Sequence, residues 1–122
     1  MKMSLDYLAQ TVAHMGDRGF AVSKSEDVAR TPQVEGQPGE VLFERVRYTL
    51  TRRAGEELVL EGLRYPTGEE TYFLEIADYH GLSCFSFELD SWKHRPDRVE
   101  FKFYARPDTG LGLAVTLQLP DP

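Results

Sequence analysis

The chain has 122 residues, 41% of them apolar and 11% aromatic, which suits one folded domain and excludes a largely disordered chain. Fourteen Lys and Arg against 20 Asp and Glu leave a formal net charge of -6, a field that disfavours nucleic acid and anionic membrane surfaces and favours basic protein surfaces. A single cysteine excludes an internal disulfide, and no stretch reaches the ~18 apolar residues of a membrane span. The opening MKMSLDYLAQTVAHMG has no unbroken apolar run of the signal-peptide kind, so the expectation is a cytoplasmic protein.

In chain order, Ser4 is placed to cap a helix over about residues 4–18, with Asp6 in its first turn. Leu5, Leu8, Val12 and Met15 fall at helical spacing and make one apolar stripe, and Gly16 and Gly19 offer a stop. Residues 20–22 read as a short extended piece, and 25–30 as a second helical turn. The segment TPQVEGQPGE, residues 31–40, reads as a connecting loop because it holds two prolines and two glycines with little to bury.

Three hairpins follow. Strands over about 41–52 and 56–63 join at Arg53-Ala54-Gly55, which sets Leu50 opposite Leu58, Tyr48 opposite Leu60, Arg47 opposite Glu61 and Thr51 opposite Glu57. Strands over about 70–79 and 82–89 turn at His80-Gly81. That register places the pairs Tyr79–Leu82, Ile76–Phe85, Leu74–Phe87 and Tyr72–Leu89 on one face. Phe73, Glu75, Ala77, Cys84, Ser86 and Glu88 then take the other face. The stretch DSWKHRPDR, residues 90–98, reads as a loop. Strands over about 98–105 and 111–119 close around a turn at 106–110, with Phe103 opposite Leu113 and Phe101 opposite Val115.

These elements predict an α+β single domain: an amphipathic N-terminal helix packed on a six-stranded antiparallel meander sheet. The order is similar to helix-grip and cystatin-like arrangements, and no motif ties the chain to one family. The alternative is a partly closed antiparallel β-barrel with a helix.

For chemistry, a nucleophile needs a base within reach. Cys84 is the only thiol, His80 lies across a turn from it, and a cysteine between apolar neighbours reads as a small packed hydrophobe. His14, His80 and His94 fall on a helix, a turn and a loop without ligand spacing, and no CxxC, HExxH or EF-hand pattern occurs. Glu75 with Asp78, or Glu88 with Asp90, reads as a solvated acidic strand face rather than an acid–base pair. No phosphate-cradling glycine loop is present. Catalytic residues, cofactor and metal are therefore not expected, and the chain does not read as an enzyme.

The leading expectation is a non-catalytic protein-binding domain: an inhibitor, immunity factor, chaperone or adaptor. Its candidate contact residues are Trp92, Lys93, His94, Arg95 and Arg98, since Trp and Arg are enriched at binding hot spots. Trp92 has a competing role as a plug of the core. Phe73, Ala77 and Cys84 form a candidate self-association face for a homodimer. The alternative function is a small-ligand module or enzyme with a pocket between helix and sheet, where Tyr48, Tyr72, Tyr104 or His14 would supply polar contacts. A nucleic-acid binder using Arg45, Arg47, Arg52 and Arg53 is the weakest reading, because aromatic residues do not interleave with that stripe.

Overall fold

The computed structural model describes residues 2–37, 39–52, 57–77, 84–104 and 114–120, without the side chains of Ala77, Cys84 and Phe85. One helix, α1 (Leu5–Asp17), precedes seven strands: β1 (Ala21–Arg30), β2 (Val41–Thr51), β3 (Glu57–Arg64), β4 (Glu70–Ala77), β5 (Cys84–Arg95), β6 (Arg98–Phe103) and β7 (Ala114–Gln118). The strands pair in chain order, each antiparallel to the next, in one open sheet. The class is α+β as expected. The sheet does not close, so the barrel alternative gives way.

Helix α1 starts where its capping chemistry places it. Ser4 is extended and its hydroxyl accepts the Tyr7 N–H at 3.0 Å, while Asp6 sits in the positive first turn. The Leu5 N–H, still without a helical partner, donates to Glu70 Oε1 at 2.9 Å, so β4 holds the helix end. The chain leaves the helix through Gly19 at φ 98, a left-handed conformation that suits glycine.

The hairpin registers agree with the expected pairs within the described ladders, while the expected Tyr72–Leu89 pair lies just beyond the end of the β4–β5 ladder. Leu50 faces Leu58, Tyr48 faces Leu60, Arg47 faces Glu61 and Thr51 faces Glu57. Ile76 faces Phe85, Leu74 faces Phe87, and Phe101 faces Val115. The three expected turns, at 53–55, 80–81 and 106–110, lie outside the described residues, as do the Tyr79–Leu82 and Phe103–Leu113 pairs.

Two segments differ from expectation. Residues 25–30 are not a helical turn but part of a ten-residue strand, β1, which runs from Ala21↔Thr51 to Arg30↔Val41 along β2. Ser25-Glu26-Asp27 resembles a helix start, yet β1 is an edge strand, stabilised by its backbone ladder and needing no apolar alternation. The meander thus has seven strands rather than six.

The stretch 90–98 is likewise no loop. Strand β5 continues through it to Arg95, turns at Pro96-Asp97, and returns as β6 with Arg95 opposite Arg98. One extra residue is accommodated between Leu89↔Phe103 and Ser91↔Lys102, a β-bulge. The bulge shifts the alternation, so that Leu89 and Trp92 are both buried although they lie three residues apart.

The helix-side face carries the core. Leu8, Met15, Leu50, Leu60, Leu74, Leu89, Val99 and Phe101 are all buried, and no helix among the described residues is long and apolar enough to cross a membrane. Helix and sheet meet closely at Gly62 of β3, where an added Cβ would lie 2.2 Å from Leu5 Cδ2 and 3.3 Å from Leu8 Cδ2. Glycine is needed there for close approach. Gly62→Val should lower stability by roughly 1–3 kcal/mol through overpacking. Urea denaturation measures this directly, and Leu5→Ala in the same chain should recover part of the loss.

Candidate functional site

A polar and aromatic cluster lies where α1 crosses the β5–β6 end of the sheet. Tyr7, Thr11 and His14 share one side of the helix at spacings of four and three, and the bulge aims Trp92 and His94 of β5 at them. Thr11 is fully buried, and its Oγ1 accepts the Trp92 Nε1–H at 3.0 Å. The same oxygen lies 3.1 Å from the Tyr7 carbonyl and 2.9 Å from His94 Nδ1, so its single proton serves one of the two. His14 donates from Nε2 to the Arg95 carbonyl at 2.7 Å. The His94 N–H donates to the Tyr7 hydroxyl at 3.3 Å.

The rings form a column. Tyr7 stacks on Trp92 with centroids 5.5 Å apart and on His94 at 5.3 Å, and the His94 and His14 rings are 5.2 Å apart. Tyr72 meets the Trp92 edge at 4.9 Å. Among the described residues no buried side-chain polar atom lacks a partner. Chemically this cluster is suited to holding the helix on the sheet. Thr11 is fully buried and its hydroxyl already accepts a hydrogen bond, and the Tyr7 hydroxyl accepts the His94 backbone N–H.

A cluster of buried side chains lies between helix and sheet, and the polar groups expected to line a pocket there are divided between that core and its margin. Tyr48 is buried with the Lys24 ammonium 5.9 Å from its ring centroid. The Tyr72 hydroxyl donates to Glu70 Oε1 at 3.0 Å, and burial together with that carboxylate raises its pKa beyond the usual tyrosine range. Tyr104 is 55% exposed. Burial works against ionisation of Glu70, but hydrogen bonds from Leu5, Tyr72 and Arg64 outweigh it and hold the carboxyl below its ordinary pKa. Tyr72 and Tyr104 line an open cleft of about 600 Å³ together with Glu69, Glu70, Glu88 and Asp90 and with Met3 and Ser4 just before α1.

For Cys84, the backbone lies opposite Ala77 as expected, while the Cys84 side chain and all of His80 and Asp78 lie outside the described residues. His14 and His94, which sequence spacing kept apart, do meet. Among the described residues no three His, Cys, Asp or Glu gather as a metal site.

The expected contact residues divide. Trp92 is 3% exposed and belongs to the core, so its indole is not a surface contact; the plug role is the one observed. Lys93 is exposed. Arg95 and Arg98 both pair with Glu100, at 3.2 and 3.0 Å, and Arg98 also with Asp97. Phe73 is half-buried, and the Ala77 and Cys84 side chains lie outside the described residues. Across the outer face, Asp27, Arg45, Glu61, Arg47 and Glu75 form a run of alternating charges over four strands. The guanidinium of Arg45 is bidentate on Asp27 and holds that carboxyl below its ordinary pKa. Arg52 lies over the Phe20 ring at 5.2 Å and donates to the Gln118 carbonyl. Arg53 lies outside the described residues. Carboxylates thus neutralise Arg45 and Arg47 of the stripe.

One surface was not anticipated. Residues 21–28 of β1 are exposed on both faces, and among the described residues no strand pairs with the side of β1 away from β2. Val22 and Val28 are 41% and 45% exposed. Beside them runs a groove of about 340 Å³ between α1 and the β1–β2 edge, lined by Leu5, Val28 and Val46 together with Glu26, Glu44 and Arg64. No hydrophobic alternation announces such a strand, although Val22 and Val28 six residues apart, both on the helix side, were the available signal.

The chain matches no family model, no curated protein and no solved structure.

Two consequences of the Thr11 cluster are measurable. Thr11→Val removes the acceptor of the Trp92 N–H and should cost about 1–3 kcal/mol in denaturant melts, with Thr11→Ser costing less. His94 has a pKa below the usual 6.5, because burial disfavours its charged form and His14 adds a like charge. The unfolded chain then binds more protons, so this contribution to stability is full above pH 6.5 and is lost as pH falls below it. Melts from about pH 7.5 down to about pH 5 should show that decline, and His94→Gln should flatten it.

Proposed function

We propose that this is a non-catalytic protein-binding domain that takes a strand of its partner onto the free edge of β1. The observation that carries the reading is the edge itself: ten residues long, exposed on both faces over 21–28, and, among the described residues, paired on one side only. Such an edge presents a row of backbone donors and acceptors that an extended segment of another chain satisfies, while neighbouring grooves admit its side chains. The groove beside Val28 is suited to the second part of that task. The committed polar groups of the Thr11 cluster favour binding over catalysis.

Inhibitor, immunity factor, chaperone and adaptor roles are all compatible with strand addition. A cytoplasmic location is part of the same proposal, in keeping with a single cysteine.

A photo-crosslinking residue in place of Ser25 tests the reading in the native host. Thr67, exposed on the β3–β4 turn, is the control position. A discrete protein adduct from position 25 and none from position 67 is the expected result. No adduct from position 25, or equal adducts from both, would overturn it.

A further inference from the structure

The edge of β1 is complementary to itself. Its residues alternate between the two faces of the sheet: Val22, Lys24, Glu26 and Val28 lie on the helix side with Leu50, Tyr48 and Val46 of β2, while Ala21, Ser23, Ser25, Asp27 and Ala29 lie on the outer side with Arg45 and Arg47. We propose that β1 pairs with β1 of a second copy, antiparallel, about a two-fold axis through Ser25. This rests on the reading of β1 as the binding edge and names its partner.

In that register each residue and its opposite number add to the same even sum, so helix-side residues meet helix-side residues and outer meet outer. Val22 faces Val28 of the second copy, Lys24 faces Glu26, Ser23 faces Asp27, Ala21 faces Ala29, and Ser25 faces itself. The two half-exposed valines cover each other, twice. The Lys24 and Glu26 side chains, already paired at 2.9 Å within one chain, join their mates in a cluster of four charges of alternating sign. Backbone parity is also respected, since odd residues oppose odd ones and outward-pointing amides meet outward-pointing carbonyls.

Neighbouring registers fail on the same residues. An axis through Glu26 sets Glu26 against itself, Lys24 against Val28 and Val22 against Arg30. An axis through Lys24 sets Lys24 against itself and Val22 against Glu26. Like charges directly opposed on adjacent strands are destabilising, so one alignment is selected. The resulting assembly is a continuous fourteen-stranded sheet with both helices on one side. Two-fold closure leaves no further β1 edge to extend it, since each copy has used its own.

Charge exchange tests both the partner and the register. Lys24 and Glu26 have side chains 52% and 66% exposed, so K24E and E26K should leave the thermal midpoint close to that of the parent. Sedimentation velocity of the parent should show a concentration-dependent dimer. Each single variant alone should dimerise at least tenfold more weakly, because Glu or Lys then meets its own kind. An equimolar mixture of K24E and E26K should restore the dimer, as a heterodimer by native mass spectrometry, and K24E/E26K should restore the homodimer. A parent that stays monomeric up to millimolar concentration overturns the proposal, as do single variants that dimerise like the parent or a mixture that does not recombine. If the parent is monomeric while the position-25 crosslinker captures another protein, the edge reading stands and the self-pairing falls. If neither occurs, both fall.

Discussion

One short helix has to cover a wide sheet, and the rest of the molecule follows from that mismatch. Thirteen residues of α1 span about 20 Å, whereas seven strands laid flat would span roughly 29 Å, and the sheet curls so far that Arg52 after β2 reaches the Gln118 carbonyl of β7. The helix is held at both ends and in the middle. At its start the Leu5 N–H meets the Glu70 carboxylate while Leu5 and Leu8 press onto Gly62, in its middle Thr11 accepts from Trp92, and toward its end His14 and Arg18 donate to the carbonyls of Arg95 and Pro120. Fixed in this way it buries the helix side of the central strands. Residues 21–28 stay exposed at the margin of the sheet, although Gly16 of α1 comes close to Val22.

The buried polar groups make the attachment specific as well as tight. A fully apolar interface between helix and sheet would tolerate rotation of the helix about its axis or sliding along it. A threonine hydroxyl that accepts the Trp92 N–H and also meets His94 does not, because any shift leaves buried donors without acceptors. The outer face solves a different problem. Its alternating Asp27, Arg45, Glu61, Arg47 and Glu75 hold charge in place over strands whose other face is core, and Glu61 and Glu75, the more covered carboxylates, each have an arginine partner. Those same pairs neutralise cations that in the sequence alone resemble a nucleic-acid surface.

What could be read from the sequence tracks where side chains decide the structure. Leu50 opposite Leu58 was legible because both strands bury one face and a slip of one residue would expose it, while Ile76 opposite Phe85 and Phe101 opposite Val115 followed from apolar alternation along each strand. Strand β1 was not legible, since Lys24, Ser25, Glu26 and Asp27 contribute ladder hydrogen bonds and surface ion pairs rather than burial. The extension of β5 was hidden by the extra residue at the bulge, which breaks the period of two between Leu89 and Trp92. The meeting of His14 and His94 depends on that bulge and on the helix position together, and no local spacing encodes it. The surface favoured for binding lies on the strand whose own existence the pattern concealed.

Hydrogen–deuterium exchange along residues 21–30, followed at low and high protein concentration, tests most directly whether this edge is where the protein takes a strand. In dilute solution the amides of β1 bonded to β2 should be protected and the intervening ones should exchange quickly, an alternation set by a strand paired on one side. At high concentration the fast set should slow until the alternation disappears. Amides of β1 that exchange at the same rates across the whole concentration range, and unchanged by any captured protein, would contradict the assignment of this edge as the binding surface.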